Sequence, residues 1–281
     1  MSCPDCFAGA VHEGKPRGEI IKLHGLDTYA TRPADGRTAR AIIVIVSDGF
    51  GWEFVNNRLL ADHYADKGDY TVYLPDFMEG HAAPLSMLNS MRGLQHGSLL
   101  AKPLNLGRVI TGFVPFLYHN RIGKSYPRVE AFFRALRTVE GPATRIGAAG
   151  FCWGGKHALL MSHGVAVGGD GDTKTQALID AAFVGHPSFV ALPADVEPAT
   201  VTVPVAFAIG SLDPTLSAAQ VAEIQAAVTK QPDAARGEVR IYDGCGHGFC
   251  VRADSSLNDV SKQAAAAEDQ CIAWFNKHFS L

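Results

Sequence analysis

The chain is 281 residues long, 47% hydrophobic and 19% charged, with 25 Lys and Arg against 28 Asp and Glu. This composition excludes an intrinsically disordered chain, and a formal charge of −3 supplies no overall basic field for nucleic acid or anionic lipid. The length allows a substantial core, and no apolar run approaches the ~20 residues that a membrane-spanning helix requires.

The opening Met1-Ser-Cys3-Pro-Asp-Cys6-Phe7 lacks the charged and apolar regions of a secretory signal, which makes the cytoplasm the expected compartment. Six cysteines do not make a disulfide framework at this length and are expected as reduced thiols. Cys3 and Cys6 form a Cys-x-x-Cys pair, but no second ligand pair stands at zinc spacing, so no metal is expected. Residues 19–23 and 27–30 read as short antiparallel edge strands. Residues 41–47 form a continuous apolar, β-branched run, the pattern of a strand buried on both faces of a parallel sheet. The run ends in the glycine-rich loop Asp48-Gly49-Phe50-Gly51-Trp52.

A helix is expected over about 53–65 with Gly68 as its C-cap, then a strand over 70–74 stopped by Pro75-Asp76. Residues 78–125, rich in Gly, Pro, His and Met, read as irregular; so long a stretch suggests a lid or substrate-binding insertion. A helix over 127–139 leads to a buried strand at 146–149. The elbow Gly150-Phe-Cys152-Trp153-Gly154 follows, and then a helix running to Met161. Residues 164–172 read as a flexible surface turn, 177–184 as a strand ending in His186-Pro187, and 203–211 as a buried strand leading into Leu212-Asp213-Pro214. Ser217 and Gln220 form a capping box for a helix to about Lys230. The last strand, 238–242, precedes Asp243-Gly-Cys245-Gly-His247-Gly-Phe249. An amphipathic helix over 259–279 then turns Ala264, Cys271, Trp274 and Phe275 to the sheet. This alternation implies an α/β fold with a doubly wound, mostly parallel sheet flanked by helices, in one domain over 1–281.

Gly-x-Cys-x-Gly is the nucleophile-elbow pattern with cysteine in place of serine, and the plain alternative is a buried cysteine in a glycine-rich turn. Cys152, Asp213 and His247 each sit just past the C-terminal end of an expected strand, where sites gather in open α/β sheets. Their order is nucleophile, acid, base. A thiol of ordinary pKa (~8.5) is mostly protonated at neutral pH, so an imidazole must share its proton and a carboxylate must fix that imidazole's tautomer. Cys245 and Cys250 flank His247 at no standard zinc spacing and are expected to pack near the site.

These motifs resemble the dienelactone hydrolase family of α/β-hydrolases, over about residues 20–280. The resemblance implies Cys152 as nucleophile, His247 as base and Asp213 as the acid orienting it. Asp48-Gly49-Phe50-Gly51 is similar to the family's acidic residue–x–Phe–Gly loop. That likeness implies a thiol-activating acid at Asp48 and an oxyanion hole from the Gly49 and Trp153 amides. Family members hold a substrate carboxylate with arginines. One candidate is Arg252, a residue beyond the matching position Val251, and the second is among Arg92, Arg108 and Arg121. Phe50, Trp52, Trp153, His186 and Phe249 line an aromatic pocket or pack as core. The expected activity is hydrolysis of a lactone or small activated ester without metal or organic cofactor. The expected partners are a small-molecule substrate and, in a homodimer, a second copy, with neither nucleic acid nor membrane. The rival readings are a non-turnover binding or sensor protein and a biosynthetic thioesterase or isomerase.

Overall fold

The computed structural model describes residues 9–96, 98–167, 174–254 and 256–281, so the Cys3–Cys6 pair and most of the expected turn at 164–172 lie outside the described residues. Eight strands form one sheet. They are β1 (Glu19–Leu23), β2 (Leu26–Thr31), β3 (Ala41–Val46), β4 (Tyr70–Pro75), β5 (Ile146–Phe151), β8 (Ala181–Gly185), β9 (Val205–Gly210) and β10 (Glu238–Tyr242). Two short strands, β6 (Val165–Val167) and β7 (Lys174–Gln176), pair separately. The order across the sheet is β1-β2-β4-β3-β5-β8-β9-β10. β4, β3, β5, β8, β9 and β10 run parallel, the buried β3, β5, β8 and β9 with uninterrupted apolar sequences, and within this sheet only the β1–β2 and β2–β4 pairings are antiparallel. β2 is therefore not the edge strand expected of it. Tyr29 and Ala30 are buried because β4 covers that side in the register Tyr29↔Leu74, and β1 and β10 are the two edges.

Helices cover both faces. α1 (Val55–Gly68) packs with α8 (Asn258–Phe279), and α4 (Ile122–Glu140) packs with α5 (Trp153–Met161). β5 shows the two sides. A side chain at Gly147 would meet Phe275 of α8, whereas one at Gly150 would meet Ala158 of α5, as positions three apart on a strand must. α6 (Ala218–Lys230) begins with the Ser217–Gln220 capping box. Cys271, Trp274 and Phe275 of α8 are buried as expected, with Ala267 in place of the half-buried Ala264. The cap of α1 falls one residue later than expected: Gly68 is the last helical residue, and Asp69 takes the left-handed cap at φ 56°.

The largest correction concerns residues 78–125, which are mostly helical and not irregular. They hold α2 (Ser86–His96), a 3-10 turn (Leu99–Ala101) and α3 (Lys102–His119). Met87, Leu88 and Met91 of α2 and Phe116 of α3 are buried at helical spacing, but many other apolar residues of α3 point outwards. Apolar side chains on both faces, with Gly112 and Pro115 inside the helix, erase the periodicity from which a helix is read.

Candidate active site

β5 and α5 meet without a loop, so the whole reversal falls on Cys152, at φ 52° and ψ −112°. A non-glycine residue in this sparsely populated region costs roughly 1–3 kcal/mol and persists only where its surroundings impose it. Gly150 and Gly154 supply that condition. A Cβ at Gly150 would lie 2.2 Å from the Gly154 carbonyl oxygen, and one at Gly154 only 2.0 Å from that of Val46. The two glycines let α5 approach β3 and β5 closely enough to hold the turn. The Cys152 N–H donates to Gly185 O at 3.1 Å, and its carbonyl accepts from Ser188 N at 3.0 Å.

The loops after β9 and β10 are tied together, Leu212 N donating to Cys245 O at 2.9 Å. They bring Asp213 to His247, whose Nδ1 lies 2.9 Å from Oδ2 and 3.1 Å from Oδ1. Thr215 fixes the carboxylate from behind, its N–H and Oγ1 donating to Oδ1 at 2.9 and 2.6 Å. The Cys152 thiol and the His247 imidazole act on each other through charge and a side-chain hydrogen bond. Ser188 touches both: its Oγ is 3.5 Å from Cys152 Sγ and 3.4 Å from His247 Nε2. Cys152, Ser188, Asp213 and His247 are all buried.

The electrostatics follow from this placement. Burial alone would raise the Cys152 thiol, but the His247 charge and the nearby Arg252 outweigh it and the opposing charge of Asp48, leaving the thiol below its ordinary value. Burial alone would depress His247. The thiolate charge and the hydrogen bond to Asp213 instead raise it, to about 10. Asp213 is lowered, its burial outweighed by bonds from His247 and Thr215. The other free cysteines behave oppositely. Burial pushes Cys245 up to about 11 and puts Cys250 and Cys271 well above the usual thiol range.

Asp48 is fully buried, but its carboxylate is not on the sulfur. Oδ1 accepts from Asn57 Nδ2 at 2.9 Å and Phe50 N at 3.2 Å, and Oδ2 takes Arg252 Nη1 in a fully buried ion pair. The aspartate faces Arg252 because α7 (Phe249–Arg252) delivers that guanidinium under the β3 loop. Arg252 is thereby partnered with Asp48, and its ring-facing edge lies 5.2 Å from the Phe50 centroid. The backbone N–H groups of Gly49 and Trp153 have no acceptor among the described residues. The Gly49 carbonyl accepts from Ala83 N at 2.8 Å.

The aromatic residues divide between wall and core, mostly core. Phe50 packs against Phe54, and Phe249 against Tyr242, all four buried. His186 is fully buried edge-on to His247, with neither ring nitrogen bonded, and desolvation holds it well below its ordinary pKa. It serves as a neutral ring behind the site. Trp153 anchors its indole N–H on Asn120 O at 2.8 Å, and the half-buried Trp52 stacks under Arg58. Arg108 and Arg121 are exposed on and beyond α3, and the side chain of Arg92 lies outside what is described. Ser188, Thr215 and Asn57 were not legible as site residues. Only the Asp213-Pro-Thr215 spacing, an Asx-turn pattern, offered any signal. Among the described residues no cluster of three or more His, Cys, Asp or Glu could hold a metal ion, and no helix is long and apolar enough to cross a membrane.

Comparison with known proteins adds to this geometry. A profile of the dienelactone hydrolase family matches residues 26–279. The chain is 27% identical to hydrolase pyvD of Aspergillus violaceofuscus over 97% of this chain and 95% of that one. It is 26% identical to hydrolase tropI of Talaromyces stipitatus, over 99% and 96%. A crystal structure of a putative dienelactone hydrolase from Klebsiella pneumoniae superposes with a TM-score of 0.61 at 16% identity, covering 92% of this chain and 97% of that one. That likeness places the sheet and its helices in the α/β-hydrolase fold.

Proposed function

This chain belongs to the dienelactone hydrolase family, and from that membership we propose that it hydrolyses lactones or small activated esters through Cys152, His247 and Asp213. One observation carries the reading. Of the described cysteines, only the one on the strained elbow is held below the ordinary thiol range, and it faces an imidazole whose far nitrogen is fixed by a carboxylate.

The resting site is a thiolate–imidazolium pair with the Ser188 hydroxyl beside both partners. The Cys152 sulfur attacks the substrate carbonyl, and the resulting oxyanion is received by the Gly49 and Trp153 N–H groups, which have no other acceptor. As the carbon–oxygen bond of the leaving group breaks, His247 gives that oxygen its proton, leaving an acyl-thioester and a neutral imidazole. The imidazole then takes a proton from water. The hydroxide adds to the thioester, the carboxylic acid departs and the thiolate–imidazolium pair is restored. A thiolate is a better leaving group than an amine, so oxygen esters, enol lactones and thioesters suit this nucleophile more than amides do. Activation of the thiol is assigned to His247, since Asp48 is engaged with Arg252. The chain leaves the core near Ala83, bonded to Gly49, which supports a lid or substrate-binding role for residues 78–125.

The test is an aryl acetate assay combined with stoichiometric alkylation of Cys152. Loss of turnover on labelling, with a transient acetyl adduct on Cys152 by mass spectrometry, is the expected result. An undiminished rate after full labelling would remove the nucleophile, and a permanent adduct would make the protein a sensor.

A further inference from the structure

The segment between β4 and β5 carries an exposed apolar surface along α3. Leu106, Ile110, Val114, Leu117 and Tyr118 recur at three- and four-residue steps along α3 and are between 38% and 65% exposed. Leu99 and Leu100, at the foot of the helix, are 79% and 94% exposed. Isolated exposed apolar residues are ordinary, but a contiguous stripe marks an interaction surface. The opposite side of α3 is already used, with Phe116 in the core and Gly112 against Met87 and Pro84.

The charge around the stripe says what it meets. From 81 to 129 the sequence has no Asp or Glu, but it does have Arg92, Lys102, Arg108, Arg121, Lys124 and Arg128, in a chain whose net charge is −3. Arg128 is neutralised by Glu79. Among the described residues Lys102, Arg108, Arg121 and Lys124 have no carboxylate partner, whereas ion pairs occupy Arg17, Arg37, Lys67 and Arg137 elsewhere. Arg121 lies over the Tyr118 ring at 5.0 Å, at the end of the stripe. A twofold contact between two copies through α3 would set these unneutralised cations against each other. Arg108, four residues before Gly112, shares that residue's side of α3, whereas Lys102 stands one turn before Leu106 and Arg121 stacks on Tyr118 at the stripe's end. An anionic lipid surface satisfies both features at once: the stripe enters the headgroup–acyl boundary, and the cations at its two ends meet lipid phosphates and carboxylates.

We propose that α3 docks this protein on anionic bilayer surfaces, lying in the interface without crossing it. The overall net charge conceals the device because acidic residues elsewhere in the chain outnumber these cations.

The experiment is co-flotation of the full chain with phosphatidylcholine vesicles, with or without about 30% phosphatidylserine. The expected result is binding to the phosphatidylserine vesicles alone, falling with added salt. It should weaken at least about tenfold in an Ile110→Asp/Val114→Asp variant and in a Lys102→Glu/Arg121→Glu/Lys124→Glu variant. Unchanged melting midpoints would show that both variants are folded. No flotation with phosphatidylserine, or equal flotation of the stripe variant, would overturn the proposal. So would a concentration-dependent dimer in light scattering that the stripe variant abolishes while vesicles bind nothing, since the stripe would then serve a second copy.

Discussion

Arg252 Nη1 and Asp48 Oδ2 form an ion pair in which both side chains are fully buried, joining positions 204 residues apart. A buried pair of this kind adds little net stability over an apolar pair, but removing one partner strands the other charge. Arg252→Met is expected to cost about 3–5 kcal/mol. It should also raise the Cys152 thiol, because Arg252 draws that thiol down while Asp48 pushes it up. Adding Asp48→Asn to Arg252→Met should recover most of the lost stability. Denaturant midpoints of the two single variants and the double give the coupling directly. Additive losses would mean that the pair does not act as a unit.

The pH response follows from opposed shifts on two facing groups. His247, raised from its ordinary 6.5 to about 10, contributes stability that is fully present below 6.5 and lost as pH rises through about 10. Cys152, lowered from its ordinary 9.0, contributes stability present above 9.0 and lost as pH falls through its depressed value. Above 9.0 the Cys152 contribution is complete while that of His247 is still being lost, so the melting temperature should fall as pH climbs from 9.0 towards about 10. The thiolate absorbance that Cys152→Ser removes should appear with a midpoint below 9.0. Appearance of the Cys152 thiolate at or above 9.0 would contradict the ion pair.

Ser188 lies within reach of both the sulfur and the imidazole, and its removal separates two roles. If the hydroxyl only fills space, Ser188→Ala changes stability slightly and leaves the thiol titration where it is. Bridging at 3.5 Å and 3.4 Å predicts more. Ser188→Ala should lower kcat by roughly 10- to 100-fold, at or below the lower end of the ~10²–10⁴-fold typical of a group that itself transfers the proton, as suits one that only positions it. It should also move the thiolate midpoint upward, and Ser188→Thr should restore part of each effect. A pH–rate profile identical to the parent's would leave Ser188 no positioning role.

What the sequence disclosed about this site was whatever is encoded locally. The apolar run of β3, the Ser217–Gln220 box and the elbow at Cys152 are short patterns with one physical solution each. Asp213 and His247 were readable because each follows its own strand. The polar groups that finish the site were not, since Ser188, Asn57 and Thr215 are ordinary loop or helix residues until the fold sets them beside a partner. Asp48 illustrates the difference: its loop was legible, but which partner its carboxylate takes depends on a helix 204 residues away. α3 was hidden for another reason, because its exposed apolar stripe violates the rule by which helices are recognised.

Asp213→Asn tests the remaining member of the site through its hydrogen bonds. Thr215 presents two donors to Oδ1, which would hold the amide oxygen of an asparagine in that place. The amide NH2 would then face His247 Nδ1, now 2.9 Å from Oδ2, and a donor there forces Nδ1 to accept. The ring's proton is driven to Nε2, the nitrogen that must be free to accept from water during deacylation. Loss of the carboxylate charge lowers His247 as well, since the bond to Asp213 helps to raise it. The variant should fold with a melting point close to the parent's and lose on the order of 10³–10⁴ in kcat, as wrong-tautomer substitutions do in related chemistry. Single-turnover kinetics should place most of that loss in deacylation, with acyl-enzyme accumulating on Cys152. Full activity in Asp213→Asn would show that the imidazole needs no acidic partner here.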